Sequence, residues 1–270
     1  MDLRKGINLV SEVINNRPKA LREFDQIYMK AADMLIQTEH IGEVFNDKEI
    51  VFIGDGDSIG LCLSYLFNEE IIEKGPKHVH ILDFDERIVL SVQNFAEKFK
   101  ITEKISSELY NVAHPLPTTC WQKFDGFYTN PPFGASNGGK SITAFVKRGI
   151  ECLRKDGLAS IVIADYPKLQ WTQELLYKTE KYLIDKSFVI SEIIPEFHHY
   201  HLDDTPELTS CSLIARLSVF EEKGYCSTCL PQDYVEDFYG HDLPLVYKYV
   251  KDKTNGGKLA SKDHELLKLE

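Results

Sequence analysis

Three short clusters of residues could do chemistry, and each follows an apolar run of strand length. The first begins at Val51-Phe52-Ile53 and continues as Gly54-Asp55-Gly56-Asp57-Ser58-Ile59-Gly60. Glycines let a backbone approach a ligand closely, and the helix that follows opens with free N–H groups. Gly54 and Gly56 are therefore expected to face a ligand, with Asp55 beside it and Asp57 a candidate catalytic acid. The second is Asp83, which ends the run Ile81-Leu82 about 28 residues further on. An acid at the end of a second strand can hold both hydroxyls of a ribose. Asp85 and Glu86 read as solvated acids of the same loop. The third is Asn130-Pro131-Pro132-Phe133, fed by Gly126–Thr129. Two prolines cannot continue a ladder, and they fix the direction of the loop carbonyls. The Asn130 Oδ1 and the Pro131 carbonyl are then placed to accept N–H groups from an attacking amine, with Phe133 covering a planar or apolar group.

Around these stand further candidates. Asn111 follows the third strand and is a candidate for an adenine edge. Carboxylates can bind ammonium groups and take a proton from an attacking amine; Asp165, Glu196, Asp203 and Asp204 are the candidates, with Tyr166 beside the first. The cluster His198-His199-Tyr200-His201 reads as the lining of a pocket mouth rather than as metal ligands. Cys226 and Cys229 have CxxC spacing without a second ligand pair, so they read as reduced thiols, and no metal is expected.

The elements that must position these residues alternate strand and helix from residue 49 onward, which calls for a parallel sheet with crossover helices. Strands are expected at Glu49–Ile53, Val79–Leu82, Ser106–Tyr110, Gly126–Thr129, Ala159–Ile163, Val189–Ile193 and Cys211–Leu217. The fold class is α/β: a Rossmann-like class I methyltransferase sheet, mostly parallel with an antiparallel last strand, and a small N-terminal helical cap. Apolar positions at helical spacing, Phe24 to Leu35 most clearly, place the cap at residues 1–48, over the cleft. The catalytic domain then spans 49–247, and the Lys-rich stretch 248–270 is expected to be a mobile tail.

The 270 residues are 43% hydrophobic and 27% charged, with a net charge of −11. This is enough for a sizeable core. The apolar runs are strand-sized, so no membrane span is expected. The N-terminus lacks an apolar leader, which makes the cytoplasm the default location. An acidic average disfavours nucleic acid and favours a cationic small molecule.

The glycine loop, the Asp83 position and the Asn-Pro-Pro-Phe tetrapeptide occur in the order and spacing of class I methyltransferase-like domains. Over residues 21–220 the chain resembles more closely the branched-chain polyamine synthase family, the N4-bis(aminopropyl)spermidine synthases. The matching pieces are Arg22-Glu23-Phe24-Asp25-Gln26, Phe52 to Asp57, and Asp83-Phe84-Asp85-Glu86-Arg87. They continue at His114-Pro115-Leu116-Pro117, Phe124-Asp125 with Thr129-Asn130-Pro131-Pro132, and Arg148-Gly149-Ile150-Glu151. That family's glycine loop is richer in aspartate and its tetrapeptide begins with aspartate; here Gly56 and Asn130 stand instead. The resemblance implies transfer of an aminopropyl group from decarboxylated S-adenosylmethionine to spermidine or a similar polyamine, with a homodimer left open.

Electrostatics favours the same cofactor. Ordinary S-adenosylmethionine would place its carboxylate near Asp55 and Asp57, and like charges at ~4 Å cost about 1 kcal/mol in water and several in a partly buried cleft. Asp57 can alternatively point away as a helix cap. The rival reading is an S-adenosylmethionine-dependent amino-group methyltransferase acting on a nucleic-acid base, with Phe133 stacking on the flipped base.

Overall fold

The computed structural model describes residues 2–203, 205–254 and 264–269; Asp204, one of the candidate acids, lies outside them. Two amphipathic helices open the chain, α1 (Leu3–Asn16) and α2 (Ala31–Val44). Asp2 caps α1 by accepting from the Lys5 N–H. Both pack on α3 (Ile59–Asn68), which follows β1 (Glu49–Ile53). α3 is apolar almost all round, Ile59 to Leu66 being buried, because the sheet covers one side and α1 and α2 the other.

The chain then alternates: β2 (His78–Asp83), α4 (Glu86–Phe99), β3 (Ile105–Leu109), β4 (Phe124–Thr129), α5 (Lys140–Cys152), β5 (Leu153–Ala164), α6 (Gln170–Asp185), β6 (Phe188–His199) and β7 (Thr209–Leu217). These strands form one sheet in the order β3-β2-β1-β4-β5-β7-β6. β1 to β5 run parallel, and β7 runs antiparallel to both β5 and β6. The expected sheet with its antiparallel last strand is therefore the observed one. Strand order reverses between β1 and β4, and a crevice opens beyond the carboxyl ends of strands at such a point. Thr129 Oγ1 donates to the Ile53 carbonyl at 2.7 Å, which locks the two strand ends that frame the crevice.

The Arg148–Glu151 segment serves the fold. A Cβ on Gly149 would lie 2.3 Å from the Phe127 ring, so only glycine lets α5 sit this close to β4. The buried Arg148 donates from Nε to the Val112 carbonyl and from its Nη atoms to Glu151, Ser227 and the Thr228 carbonyl. It thereby ties α5 to the loop after β3 and to the loop that carries the two exposed cysteines.

Three expectations change. Where the structure describes it, the stretch from 248 is not a loose tail: β8 (Tyr247–Asp252) pairs with β9 (His264–Lys268), and Val250 is fully buried beside Asp85. Lys251 Nζ pairs with Glu86, and the Asp252 N–H donates to the same carboxylate. A short helix, α7 (Gln232–Val235), precedes this hairpin. β6 runs well past the expected end, through irregularities in its register with β7, as far as His199. Asp85 is no solvated acid: it is wholly buried against Arg87, with Nε to Oδ1 at 2.9 Å and Nη2 to Oδ2 at 2.5 Å.

Candidate functional site

A cleft of about 820 Å³, open mouth included, lies beyond the carboxyl ends of β1, β2 and β4. Gly54, Gly56, Asp57, Asp83, Asn111, Asn130, Pro131 and Phe133 all line it. Gly54 stands at φ +75°, and a Cβ there would lie 3.1 Å from the Phe145 ring. At Gly56 a Cβ would meet only the Tyr28 ring, at 3.8 Å. The loop thus brings bare backbone to the cleft, as the sequence requires of it.

Of the two acids of this loop, both expected at the ligand, only Asp57 faces it, and the helix cap considered for Asp57 falls to Asp55. Asp55 does not line the cleft; both its oxygens accept from the Gly60 N–H, at 3.2 and 3.1 Å, so it caps α3 from within. Asp57 is the acid that faces the cleft. Its Oδ1 accepts from the Met29 N–H at 2.7 Å and its Oδ2 from Asn130 Nδ2 at 2.6 Å. A carboxylate only accepts, so the Asn130 amide must turn its nitrogen to Asp57, which leaves Oδ1 as the acceptor of that side chain, with the Tyr200 hydroxyl also within reach of the amide. Burial raises the pKa of Asp57, opposed by the neighbouring Arg17 and by these two hydrogen bonds. Arg17 itself stays behind the wall: its Nη1 donates to the Asp57 carbonyl, and its guanidinium lies 4.0 Å from the centre of the Tyr28 ring.

Asp83 accepts from the Asp55 N–H on one oxygen and from the Asp85 N–H on the other, both at 2.9 Å. Burial, reinforced by the Asp85 charge, nevertheless pushes its carboxyl up to about 7. Beside it stand three rings. Phe24 meets Phe84 and Tyr239 edge-on, each at 5.3 Å, and Phe84 and Tyr239 stack at 6.4 Å. On the other side, Phe133 meets Tyr200 edge-on at 6.2 Å. The Tyr200 hydroxyl is bonded to Ser210 Oγ at 2.7 Å, and Ser210 to His198 Nδ1 at 2.9 Å.

Several predicted residues are placed elsewhere or are already engaged. Asp165 is buried but outside the cleft, accepting from Gln173 Nε2 and the Glu196 N–H. Glu196 and Asp203 are exposed and Tyr166 is half-buried, and none of the three lines the cleft. Asn111 lines it, yet its Nδ2 donates to the Tyr247 and Lys248 carbonyls at 3.2 and 2.7 Å, which takes its side chain from any adenine edge. Of the histidine cluster only Tyr200 reaches the cleft. His198 is buried between Ser210 and Gln37, and burial pushes it down to about 3.

The sequence reading missed Asp25, Tyr28, Phe84 and Tyr239 as cleft residues. Asp25 and Phe84 lie inside motifs already quoted, and Tyr28 follows one of them; Tyr239 sits in a loop with no local signal. Asp25, Asp57 and Asp83 are the charged side chains among the described lining residues, and no lysine, arginine or histidine accompanies them.

Residues 6–256 match the family model of the branched-chain polyamine synthase A C-terminal domain. An uncharacterized protein of Methanocaldococcus jannaschii is 30% identical over 172 residues, 63% of this chain; the chain spans 38% of that relative's length. Among solved structures, a mutein of the Thermus thermophilus branched-chain polyamine synthase, in complex with N4-aminopropylspermidine and 5′-methylthioadenosine, superposes with TM-score 0.71 at 20% identity. The match covers 88% of this chain and 70% of that one. A proposed RNA methyltransferase of Pyrococcus horikoshii gives 0.56 at 16% identity, covering 81% of this chain and 100% of that one. At these identities the structural likeness establishes the class I methyltransferase-like fold.

Proposed function

The chain belongs to the branched-chain polyamine synthase A C-terminal domain family, and on that premise we propose that it moves an aminopropyl group from decarboxylated S-adenosylmethionine to an amine of a spermidine-like polyamine. The observation that carries this reading is the charge of the cleft: three aspartates and no cationic side chain among its described lining residues. A donor with an ammonium and no carboxylate suits such a wall, and so does a polycationic acceptor. A phosphate backbone does not, which weighs against a nucleic-acid base as the acceptor.

The residues fit the donor part by part. Asp83 keeps spare acceptor capacity on both oxygens for the two ribose hydroxyls. Phe84, Tyr239 and Phe24 offer ring faces and edges to an adenine. The bare backbone at Gly54 and Gly56 accommodates the sulfonium side. Asn130 Oδ1 and the Pro131 carbonyl orient the attacking amine, whose nitrogen bonds to the methylene next to sulfur as that carbon–sulfur bond breaks and methylthioadenosine leaves. Asn130 cannot take the proton, but the raised, cleft-facing Asp57 can, at one of its remaining lone pairs. Of the acids expected to be catalytic, Asp57 is thus the proposed base, in place of Asp165 and Glu196.

Calorimetry with both forms of the donor tests this. Decarboxylated S-adenosylmethionine should bind at least about tenfold more tightly than the carboxylated form, the factor for ~1.4 kcal/mol of like-charge repulsion. Preference for the carboxylated form would favour methyl transfer.

A further inference from the structure

We propose that His80, Glu108 and Cys120 form a binding site for a zinc-class divalent cation, separate from the cleft. The three residues come from β2, β3 and the turn before β4, and none lines the cleft. An imidazole nitrogen, a carboxylate oxygen and a sulfur lie within 4.8 Å of one another. Such mixed nitrogen, oxygen and sulfur sets are the ones zinc takes. The inference departs from the metal-free expectation drawn from the sequence, which considered only the histidine cluster at 198–201 and the exposed cysteine pair.

The geometry of the site carries the argument. Ser106 Oγ stands between two imidazoles, 2.7 Å from His78 Nε2 and 2.9 Å from His80 Nδ1. That contact engages one ring nitrogen of His80 and leaves the other, Nε2, facing Glu108 Oε2 at 3.6 Å, a separation too long for a hydrogen bond.

A cation fits between these two atoms, bound by the imidazole nitrogen on one side and the carboxylate oxygen on the other. With zinc bonds of ~2.0–2.2 Å to nitrogen and oxygen, tetrahedral ligands stand roughly 3.4 Å apart, close to the observed gap. Ser106 then plays the part usual behind a metal-bound histidine, fixing the tautomer from the other ring nitrogen. Stacking of the His80 ring on Phe124, 9° from parallel at 5.9 Å, holds its plane. Cys120 supplies sulfur from the buried side, giving up its proton on binding, and Glu108 closes the set from the exposed side. One carboxylate and one thiolate balance the two charges of the cation, and the fourth position is left for water.

Cobalt(II) is the probe, because a thiolate ligand gives it a charge-transfer band in the near ultraviolet. The 270-residue chain would carry Cys226→Ser and Cys229→Ser to remove the exposed thiols, be stripped with a chelator, and be titrated with cobalt. One equivalent should bind with that band, and zinc should displace it. Cys120→Ser should abolish the band. Because Cys120 is buried, the exposed Glu108→Gln serves as a second variant that leaves the core untouched; it should weaken cobalt binding at least about tenfold. Absence of the band in the folded parent protein, or a titration unchanged by Glu108→Gln, would overturn the assignment.

Discussion

At Asp83 two backbone N–H groups hold the carboxylate in place, yet burial keeps its pKa near 7. The folded value lies above the unfolded one, so this group's contribution to stability is fully present below about pH 4. It is lost as pH rises towards 7. Ligand binding has the opposite sign, because ribose hydroxyls donate and so favour the ionised form. Affinity for methylthioadenosine should therefore rise from pH 6 to about 7.5 and then level off, as calorimetry across that range would record. Asp83→Asn should flatten the profile and weaken binding by about 10–100-fold, the loss of hydrogen bonds to a charged group. Asp57 invites a companion test. Asn130→Ala should cut turnover by ~10²–10³ while the chain stays folded. Asn130→Asp should retain turnover with a new ionisation in its pH–rate profile, because two carboxylates where Asn130 Nδ2 and Asp57 Oδ2 now meet at 2.6 Å must share a proton. At this scale the sequence revealed that the three motifs gather, but not which way their acids point, nor that Asp165, Tyr166, Glu196 and Asp203 stand outside the cleft. Asp55 and Asp57 are chemically identical, and only the start of α3 and the approach of Met29 separate a cap from a cleft wall.

Among the elements, the hairpin of β8 and β9 was the least legible. Its lysines read as a solvated end, while what docks it is long-range: Asn111 bonded to two of its carbonyls, Val250 buried, and Lys251 against Glu86. Asn111→Ala leaves those carbonyls without their donor and should cost about 1–3 kcal/mol. Thermal melts would show the loss, and hydrogen exchange should speed up in Tyr247–Asp252 before the central strands. Unchanged exchange there would mean that the hairpin does not depend on Asn111. Strands β1, β2, β4 and β5 were legible because each finishes in a buried apolar run that stops at glycine, aspartate or Asn-Pro. Of β6 only the first half was legible, as the strand expected at Val189–Ile193, since much of it is exposed and its register with β7 is irregular. Asp85 was misread for a related reason: nothing local announces that Arg87 and Gln26 will bury it. Arg87→Leu would leave that carboxylate uncompensated and should destabilise the fold by about 3–5 kcal/mol.

For the whole molecule, the charge of −11 and the three aspartates of the cleft act in the same direction. A polycation is drawn in from a distance, and salt screens that attraction over roughly 8 Å at physiological strength. KM for a polyamine acceptor should therefore rise with ionic strength while kcat changes little, which steady-state kinetics at several salt concentrations would check. The most direct measurement is mass spectrometry of the acceptor and the spent donor. The protein would be incubated with decarboxylated S-adenosylmethionine and spermidine, and in parallel with S-adenosylmethionine and either spermidine or an oligonucleotide. Spermidine should gain aminopropyl groups, one methylthioadenosine appearing for each, and neither methyl acceptor should change. Unmodified spermidine in the first reaction, with a methyl group gained by the oligonucleotide, would contradict aminopropyl transfer and assign Asn130-Pro131-Pro132-Phe133 to a base.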